Sequence, residues 1–219
     1  MPALLFDLDG TLLNSDAIHE CVYKELWASR GMVMDDGFYM THVHGRLNVD
    51  VFAEFLPDEP DPQGLSDWKE AQFRDRLPAT YPALPGVRAV LDKARAKDWG
   101  VAVVTNAMRL NADAMLSAIG MCADVDVIVI GEECENGKPH PEPYLMAMQQ
   151  LDETPNTCIA FEDSASGMKA AAASGAYPVG VRSGLTDAAL RDAGAAVTIQ
   201  DFNDPALSDI LARFEGVAA

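Results

Sequence analysis

Short apolar runs alternate with longer segments of helical period along most of the chain. Six runs have the composition of buried strands: residues 3–8, 100–105, 125–130, 158–162, 177–181 and 195–199. Helical patterns follow or separate them at about 87–98, 109–119, 142–152, 165–174 and 186–193. The strand runs show little alternation of apolar and polar residues, which is typical of parallel strands covered on both faces. The pattern therefore predicts an α/β fold with a doubly wound parallel sheet.

The segment after the first strand breaks this rhythm, because it contains helical patterns and no convincing strand. Apolar residues recur at every fourth position from Ile18 to Leu26, which predicts an amphipathic helix, and further helical patterns follow at about 48–56 and 65–76. The stretch "RLPATYPALPG" then supplies three prolines, which favour a stiff return segment. We therefore predict two domains: a helical insert at 15–82 and a core formed by residues 1–14 and 83–219.

The charge balance narrows the possible partners. The 219 residues include 34 acidic and 16 basic side chains, so the formal net charge is −18. Such a surface repels nucleic acid and anionic membranes, and we expect neither as a partner. Four cysteines without CxxC spacing, the lack of a basic leader and the lack of an apolar run near 18 residues are typical of a cytoplasmic protein. We expect a monomer or a small homo-oligomer.

The first strand runs into the sequence "DLDG", which places the carboxyl groups of Asp7 and Asp9 one residue apart. A calcium-binding EF-hand loop starting at Asp7 is excluded, because its sixth position is Leu12 rather than glycine and its twelfth is Ile18 rather than glutamate. A simple turn accounts for Asp9 and Gly10 but not for Asp7. Ligands bind at the carboxyl ends of parallel strands, where both aspartates are predicted to lie.

Polar side chains also follow two other predicted strands. Thr105 and Asn106 end the second run, Glu162 and Asp163 end the fourth, and Lys138 lies between them in "ENGKPHPEPY". Taken singly, each is equally typical of a helix cap or a solvated loop. Together they supply hard oxygen ligands for Mg²⁺, a carboxylate nucleophile, an acid–base group and donors for phosphate oxygens. The set predicts phosphoryl transfer.

Four stretches, "FDLDGTL", "VVTN", "GKPHPEPY" and "FEDSASG", resemble in order and spacing the four motifs of the haloacid dehalogenase superfamily. The insert resembles the helical cap of its subfamily I, which includes the β-phosphoglucomutase-like phosphatases. The resemblance implies a Rossmann-like core and a mobile cap that closes over a Mg²⁺-dependent nucleophile.

The resemblance also implies roles for individual residues. Asp7 matches the nucleophile, Asp9 the general acid and base, Thr105 the phosphate-binding hydroxyl and Lys138 the motif lysine. The implied metal ligands are Asp7, Asp9 (through its backbone carbonyl), Glu162 and Asp163.

The identity of the substrate depends on the predicted cap. His19 falls where the β-phosphoglucomutases carry a histidine, which favours a mutase. The stretch "THVHGRLNVDVF" resembles the substrate-specificity loop, but His44 and Asn48 stand where the mutases carry lysine and arginine, which disfavours one. The predicted substrate-binding residues are Asn106, His19, His44, Gly45, Arg46, Asn48, Arg109 and Asn111.

These observations favour a Mg²⁺-dependent phosphatase that hydrolyses a small phosphorylated metabolite through an aspartyl-phosphate. The metabolite is expected to be a sugar, polyol or small-acid phosphate. Asp9 disfavours the superfamily's dehalogenases and phosphonate hydrolases, which lack it. Two alternatives remain open: a sugar-phosphate mutase of the β-phosphoglucomutase type, and a non-catalytic sugar-phosphate binder. The pairing of a nucleophile with an acid disfavours the binder.

Overall fold

A single six-stranded sheet forms the centre of the molecule in the computed structural model, which describes residues 1–216. The strands are β1 (Ala3–Phe6), β2 (Gly100–Thr105), β3 (Val127–Ile130), β4 (Cys158–Glu162), β5 (Tyr177–Val181) and β6 (Val197–Ile199). Every neighbouring pair is parallel, and the spatial order is β3-β2-β1-β4-β5-β6. The predicted α/β fold with a Rossmann-like, doubly wound sheet is confirmed.

Both faces of the sheet are buried, which explains why the strand sequences lack alternation. Successive side chains of a strand point to opposite faces. Leu4 and Phe6 therefore enter one apolar cluster, while Ala3 and Leu5 enter another on the opposite face. Helices contribute side chains to both clusters, so the sheet is the middle layer of three.

The helices of the core lie between the strands, close to the predicted positions. They are α4 (Val87–Ala96), α5 (Arg109–Ala118), α6 (Glu142–Gln150), α7 (Ala165–Ser174), α8 (Asp187–Asp192) and α9 (Ala206–Phe214). Helices α4, α5 and α9 cover one face, and α6 with α7 covers the other. The sequence analysis missed α9, although its buried Leu207, Ile210, Leu211 and Phe214 have helical spacing.

Three helices form the segment between β1 and α4: α1 (Asp16–Ser29), α2 (Asn48–Phe55) and α3 (Pro62–Arg76). A π-helical turn at Tyr39–Val43, which was not predicted, joins α1 to α2. These elements share an apolar cluster of their own, whose buried residues include Tyr23, Trp27, Val51 and Phe52. Phe73 of α3 instead packs in the cluster of the sheet. A cap domain at 15–82 stays a prediction, and residues 217–219 of the predicted core lie outside the described residues.

The strand order explains why the candidate residues meet. From β1 the chain proceeds to β2 and β3 on one side, and it then returns to β4 on the other side of β1. Ligands bind outside the carboxyl ends of the strands at such a reversal. The ends of β1, β2 and β4 therefore face one crevice. No helix within residues 1–216 is both long and apolar enough to cross a membrane.

We expect Phe52→Ala to destabilise the helices between β1 and α4. The Phe52 ring is fully buried and lies 6.0 Å from the ring of Tyr23, so its removal leaves a cavity in their shared cluster. The expected loss is about 3–5 kcal/mol in the free energy of unfolding, measured by urea denaturation. Val33→Ala is the matched control, because Val33 is 84% exposed and its truncation should change stability by less than about 0.5 kcal/mol. Equal stability of the two variants would contradict the assignment of this cluster.

Candidate active site

The turn after β1 holds the first pair of carboxylates. The backbone N–H of Asp7 donates to the Phe161 carbonyl at 2.9 Å, which extends the pairing of β1 with β4 and fixes Asp7 at the sheet edge. Gly10 has a φ of 76°, and a Cβ atom there would come within 1.9 Å of Asp163 Oδ2. Only glycine allows both this backbone conformation and this close approach. The "DLDG" turn therefore brings Asp7 and Asp163 into one site.

Lys138 links three of the elements at the sheet edge. Its Nζ donates to Asp7 Oδ1 at 2.7 Å, to the Val104 carbonyl at 2.7 Å and to Glu162 Oε1 at 2.5 Å. The hydroxyl of Tyr144 also donates to Glu162, at 2.7 Å. Burial opposes the charge on Lys138, but Asp7 and Glu162 outweigh it and raise its pKa, so the lysine stays protonated. The sequence analysis missed Tyr144, which lies six residues after Lys138 in the same motif.

Asp7, Glu162 and Asp163 form a buried acidic cluster, in which one ligand oxygen from each residue lies within 4.8 Å of the others. Burial raises the pKa of Asp7 and of Asp163, and with the nearby Asp7 charge it raises the pKa of Glu162 to about 7. Lys138 pairs with Asp7 and Glu162, and His44 lies 3.2 Å from Asp163, so two basic groups face three carboxyl groups. A divalent cation would relieve this imbalance, and Mg²⁺ prefers carboxylate oxygens. The residues present therefore fit such a metal.

The side chain of Asp9 points to α1 and lies outside that cluster. The hydroxyl of Ser15 donates to Asp9 Oδ1, and His19 Nε2 lies 3.5 Å from the same oxygen. Burial opposes ionisation of Asp9, but these two partners outweigh it and lower its pKa. On its other side, His19 Nδ1 lies 2.6 Å from Lys69 Nζ, and its ring stacks on Phe73 at 3.9 Å between centroids. Lys69, which was not predicted, thus joins Asp9 to α3 through His19.

Thr105 and Asn106 lie at the end of β2, as predicted. Both line a cavity at this edge of the sheet, which Asp7, Lys138 and Asp163 also line. The hydroxyl of Thr105 accepts from the backbone N–H of Ala107 at 3.0 Å. The amide of Asn106 donates to the backbone carbonyl of Lys138 and accepts from its N–H, each at 3.1 Å. Asn106 therefore positions the loop that carries Lys138.

The loop between α1 and α2 lies over the acidic cluster. His44 Nε2 is 3.2 Å from Asp163 Oδ2 and 3.7 Å from Asp16 Oδ2. Burial opposes the charged imidazole, but these carboxylates outweigh it and raise the pKa of His44 to about 9. A Cβ atom on Gly45 would lie 3.0 Å from Cβ of Ser164. His44 and Gly45 thus approach the loop that follows β4.

A polar network at the far end of the cavity joins α2, α3 and α5 around Glu70. Its Oε1 accepts from Asn48 at 2.6 Å and from Lys69 at 2.8 Å, and its Oε2 accepts from the amide of Asn111. Burial opposes ionisation of Glu70, but Lys69 and the other donors lower its pKa to about 2. Asn48 and Asn111 were predicted from the sequence. The sequence analysis missed Glu70, because the residue pattern of α3 is that of an ordinary helix.

The two predicted arginines differ in position. Arg46 lines the cavity, but its guanidinium group donates to Glu54 and to the His42 carbonyl, each at 2.9 Å. Arg109 does not line the cavity; it donates to Glu133 at 2.7 Å and to the Ile128 carbonyl at 3.3 Å. The structure thus places Arg109 apart from the other predicted residues, and its contact with a leaving group stays a prediction.

Comparison with known proteins places these features in a family. Residues 4–181 match the family model described as "Haloacid dehalogenase-like hydrolase". A curated relative, the phosphorylated carbohydrates phosphatase of Thermotoga maritima, is 30% identical over 207 residues, which are 91% of this chain and 94% of the relative.

Two solved structures show the same fold. CbbY of Rhodobacter sphaeroides, crystallised as a variant in complex with xylulose-(1,5)bisphosphate, has a TM-score of 0.79 and 26% identity, covering 92% of this chain and 95% of that chain. A β-phosphoglucomutase of Clostridium difficile has a TM-score of 0.85 and 23% identity, covering 98% and 97%. At 23% identity, the similarity to the Clostridium difficile protein shows the fold alone.

We expect Glu70→Gln to lower the free energy of unfolding by about 3 kcal/mol at pH 7, since an ionised carboxylate pairs with Lys69 there. The pKa of Glu70 falls from 4.5 in the unfolded chain to about 2, so this stabilisation is complete above pH 4.5. It is lost as the pH falls from 4.5 toward 2. Urea denaturation of both proteins across this range measures the difference.

Glu25→Gln is the matched control for Glu70→Gln. The Glu25 carboxylate pairs with Arg76 at 2.6 Å but is 52% exposed, so its loss should cost less than about 1 kcal/mol. A stability gap for Glu70→Gln that stays constant down to pH 2 would contradict the proposed ionisation.

Proposed function

This chain belongs to the haloacid dehalogenase-like hydrolase family, and we propose that it is a Mg²⁺-dependent phosphatase acting on a small phosphorylated metabolite. One observation carries the proposal: the buried carboxyl group of Asp7 is paired with Lys138 and lies beside Asp163 at the point where the strand order reverses. The curated relative named as a phosphatase of phosphorylated carbohydrates supports it.

We assign the nucleophile to Asp7. Lys138 donates to Oδ1, so we assign the attack on phosphorus to Oδ2. The Oδ2–P bond forms as the bond from phosphorus to the leaving oxygen breaks, which gives an aspartyl-phosphate. A water molecule then attacks this phosphorus, phosphate leaves, and the Asp7 carboxylate is restored. The hydroxyl of Thr105 and the amide of Asn106 line the cavity, where they can donate to the phosphate oxygens.

We assign proton transfer to Asp9. Its carboxyl group donates a proton to the leaving oxygen and afterwards accepts one from the attacking water. Ser15 and His19 contact the Asp9 carboxylate and set its orientation. They also favour its ionised form, which is the form required for the second step. The loop with His44 and Gly45 restricts access of bulk water to the cluster.

The metal proposal rests on the acidic cluster. Asp7, Glu162 and Asp163 would hold Mg²⁺, with Asp9 as the further ligand implied by the sequence resemblance. The bound ion would neutralise negative charge on the phosphate oxygens.

A phosphate mutase is the second candidate function. His19, on α1, lies where the mutases carry a histidine, and it contacts both Asp9 and Lys69. His44, in the loop from α1 to α2, and Asn48, the first residue of α2, disfavour a mutase, because they stand where the mutases carry lysine and arginine. A mutase supplied with a sugar phosphate and a bisphosphate primer would form an isomer with little free phosphate, whereas the proposed phosphatase would release phosphate.

We expect Asp7→Asn and Asp9→Asn each to lower kcat for an aryl phosphate by at least about 1,000-fold, because each removes a group that takes part directly in bond making or proton transfer. Release of 4-nitrophenol in the presence of Mg²⁺ measures this loss. Asp209→Asn is the control, since this exposed aspartate lies on α9, away from the cavity. Full turnover by Asp7→Asn would exclude the proposed nucleophile.

We expect Mg²⁺ to raise the Tm of the wild-type protein, because the ion relieves repulsion within the acidic cluster. Asp163→Asn should abolish the shift, while Asp209→Asn should keep it. Thermal unfolding with and without millimolar Mg²⁺ measures this effect independently of activity. An equal shift in wild type and Asp163→Asn would contradict the assigned metal site.

A further inference from the structure

We propose that the end of the cavity around Glu70 accepts an uncharged, hydroxyl-rich leaving group and rejects one that carries a second anionic group. This inference rests on the proposed phosphatase function and narrows its substrate class. It excludes phosphorylated acids and bisphosphates as preferred substrates. Glu70 and Glu132 are its specificity-determining residues.

The cavity has two chemically different ends. One end, where phosphorus would react, is lined by Asp7, Asp163 and Lys138. At the other end lie Glu70 and Asn111. The two ends are joined by consecutive contacts from Asp9 to His19, from His19 to Lys69 and from Lys69 to Glu70. These side chains form a continuous wall from the reacting end to Glu70, and we assign the leaving group of a substrate whose phosphate lies on Asp7 to this wall.

The cations near this second end are already engaged. Lys69 is only 3% exposed, and its ammonium group contacts Glu70 Oε1 and His19 Nδ1. Arg46 is directed to Glu54 and a backbone carbonyl. Arg74 does not line the cavity; it donates to the Asn111 carbonyl oxygen from behind. Each of these three cations therefore already has a carboxylate or another hydrogen-bond acceptor as its partner, and an incoming carboxylate or second phosphate would have to compete with that partner.

A second acidic side chain, Glu132, lines the cavity together with Glu70. Glu132 lines the mouth of the cavity, where partial burial and the charges of Glu70 and Asp67 raise its pKa. The carboxylates of Glu70 and Glu132 line the same cavity, and their negative charges disfavour an anion on the substrate as the charge of Glu70 disfavours one on Glu132. Rejection of an anion therefore follows from the charges in place and requires no steric clash.

The same side chains suit hydroxyl groups. An ionised carboxylate has about four acceptor positions, and Glu70 receives three donors from Asn48, Lys69 and Asn111. One position remains for a substrate O–H, which donates readily to a charged acceptor. Ser66 and Gln63 add neutral polar groups to the same wall. A chain of hydroxyl-bearing carbons can bond to this wall without bringing charge.

The decisive measurement compares sorbitol 6-phosphate with 6-phosphogluconate, which differ only by a CH₂OH group in place of a carboxylate at the far end. We expect kcat/KM to be at least about 100-fold higher for sorbitol 6-phosphate, which corresponds to two like charges interacting across a few ångströms of partly buried protein. For a compound that is not turned over, its Ki against aryl phosphate hydrolysis replaces kcat/KM. Fructose 1-phosphate and fructose 1,6-bisphosphate form a second pair with the same expected order.

Variants identify the residues responsible. Glu132→Gln should lower the ratio of kcat/KM for sorbitol 6-phosphate to kcat/KM for 6-phosphogluconate by at least about 3-fold, through a lower KM or Ki for the acid. Glu70→Gln should narrow it at least about 10-fold and should also raise KM for sorbitol 6-phosphate. Glu133→Gln is the matched control, because Glu133 pairs with Arg109 outside the cavity and should leave the ratio unchanged.

The outcomes separate this inference from the proposed function. If aryl phosphate is hydrolysed but the acid or the bisphosphate equals or exceeds its uncharged partner, the inference is overturned and the phosphatase assignment stands. If aryl phosphate is not hydrolysed in the presence of Mg²⁺, the phosphatase assignment itself fails. A ratio that persists unchanged in both Glu70→Gln and Glu132→Gln would overturn the assignment of specificity to these residues.

Discussion

The structure depends on one electrostatic constraint, the burial of three carboxyl groups at one sheet edge, where Lys138 pairs with two of them and His44 lies against the third. Asp7, Glu162 and Asp163 come from the ends of two neighbouring strands, and Lys138 comes from the loop that precedes α6. Such crowding disfavours the ionised form of these carboxyl groups, and the pKa of Glu162 is raised accordingly. The sheet topology enforces the arrangement, because β1 and β4 are hydrogen-bonded in register up to the turn that holds Asp7. An arrangement that costs stability in this way is typical of a functional site.

The region between β1 and α4 contacts the rest of the molecule around the crevice at two separate places. At one, His44 from the loop after α1 lies against Asp163. At the other, Glu70 of α3 binds Asn111 of α5, beyond the end of β2. Phe73 adds an apolar contact, since it packs in the cluster of the sheet while stacking on His19. Polar contacts at the two places and an apolar one between them give this region a defined position over the crevice.

The sequence predicted the sheet and the residues at strand ends because these follow from local patterns and one topological rule. Parallel strands carry their terminal residues to one edge, so Asp7, Thr105 and Asp163 could be grouped without coordinates. The residues that were missed depend on partners far away in sequence. Lys69 contacts His19 across 50 residues, and Tyr144 owes its role to a hydrogen bond with Glu162. The position of Arg109 outside the cavity has the same kind of cause, since its guanidinium group pairs with Glu133, 24 residues later.

The contact between His19 and Lys69 has a consequence for how this protein can diverge. In the proposed mechanism, the residues that make and break bonds lie at the strand ends, while the far wall of the cavity belongs to α2, α3 and α5. Lys69 of α3 links these two sets of residues. It contacts Glu70 on one side, and on the other it contacts His19, which lies beside Asp9. Substitutions at Asn48, Ser66 or Gln63 can therefore change the fit to a substrate while the reacting groups stay intact. An ancestral sequence with this layout could give rise to enzymes for many metabolites by drift in three helices, with one chemical step inherited unaltered.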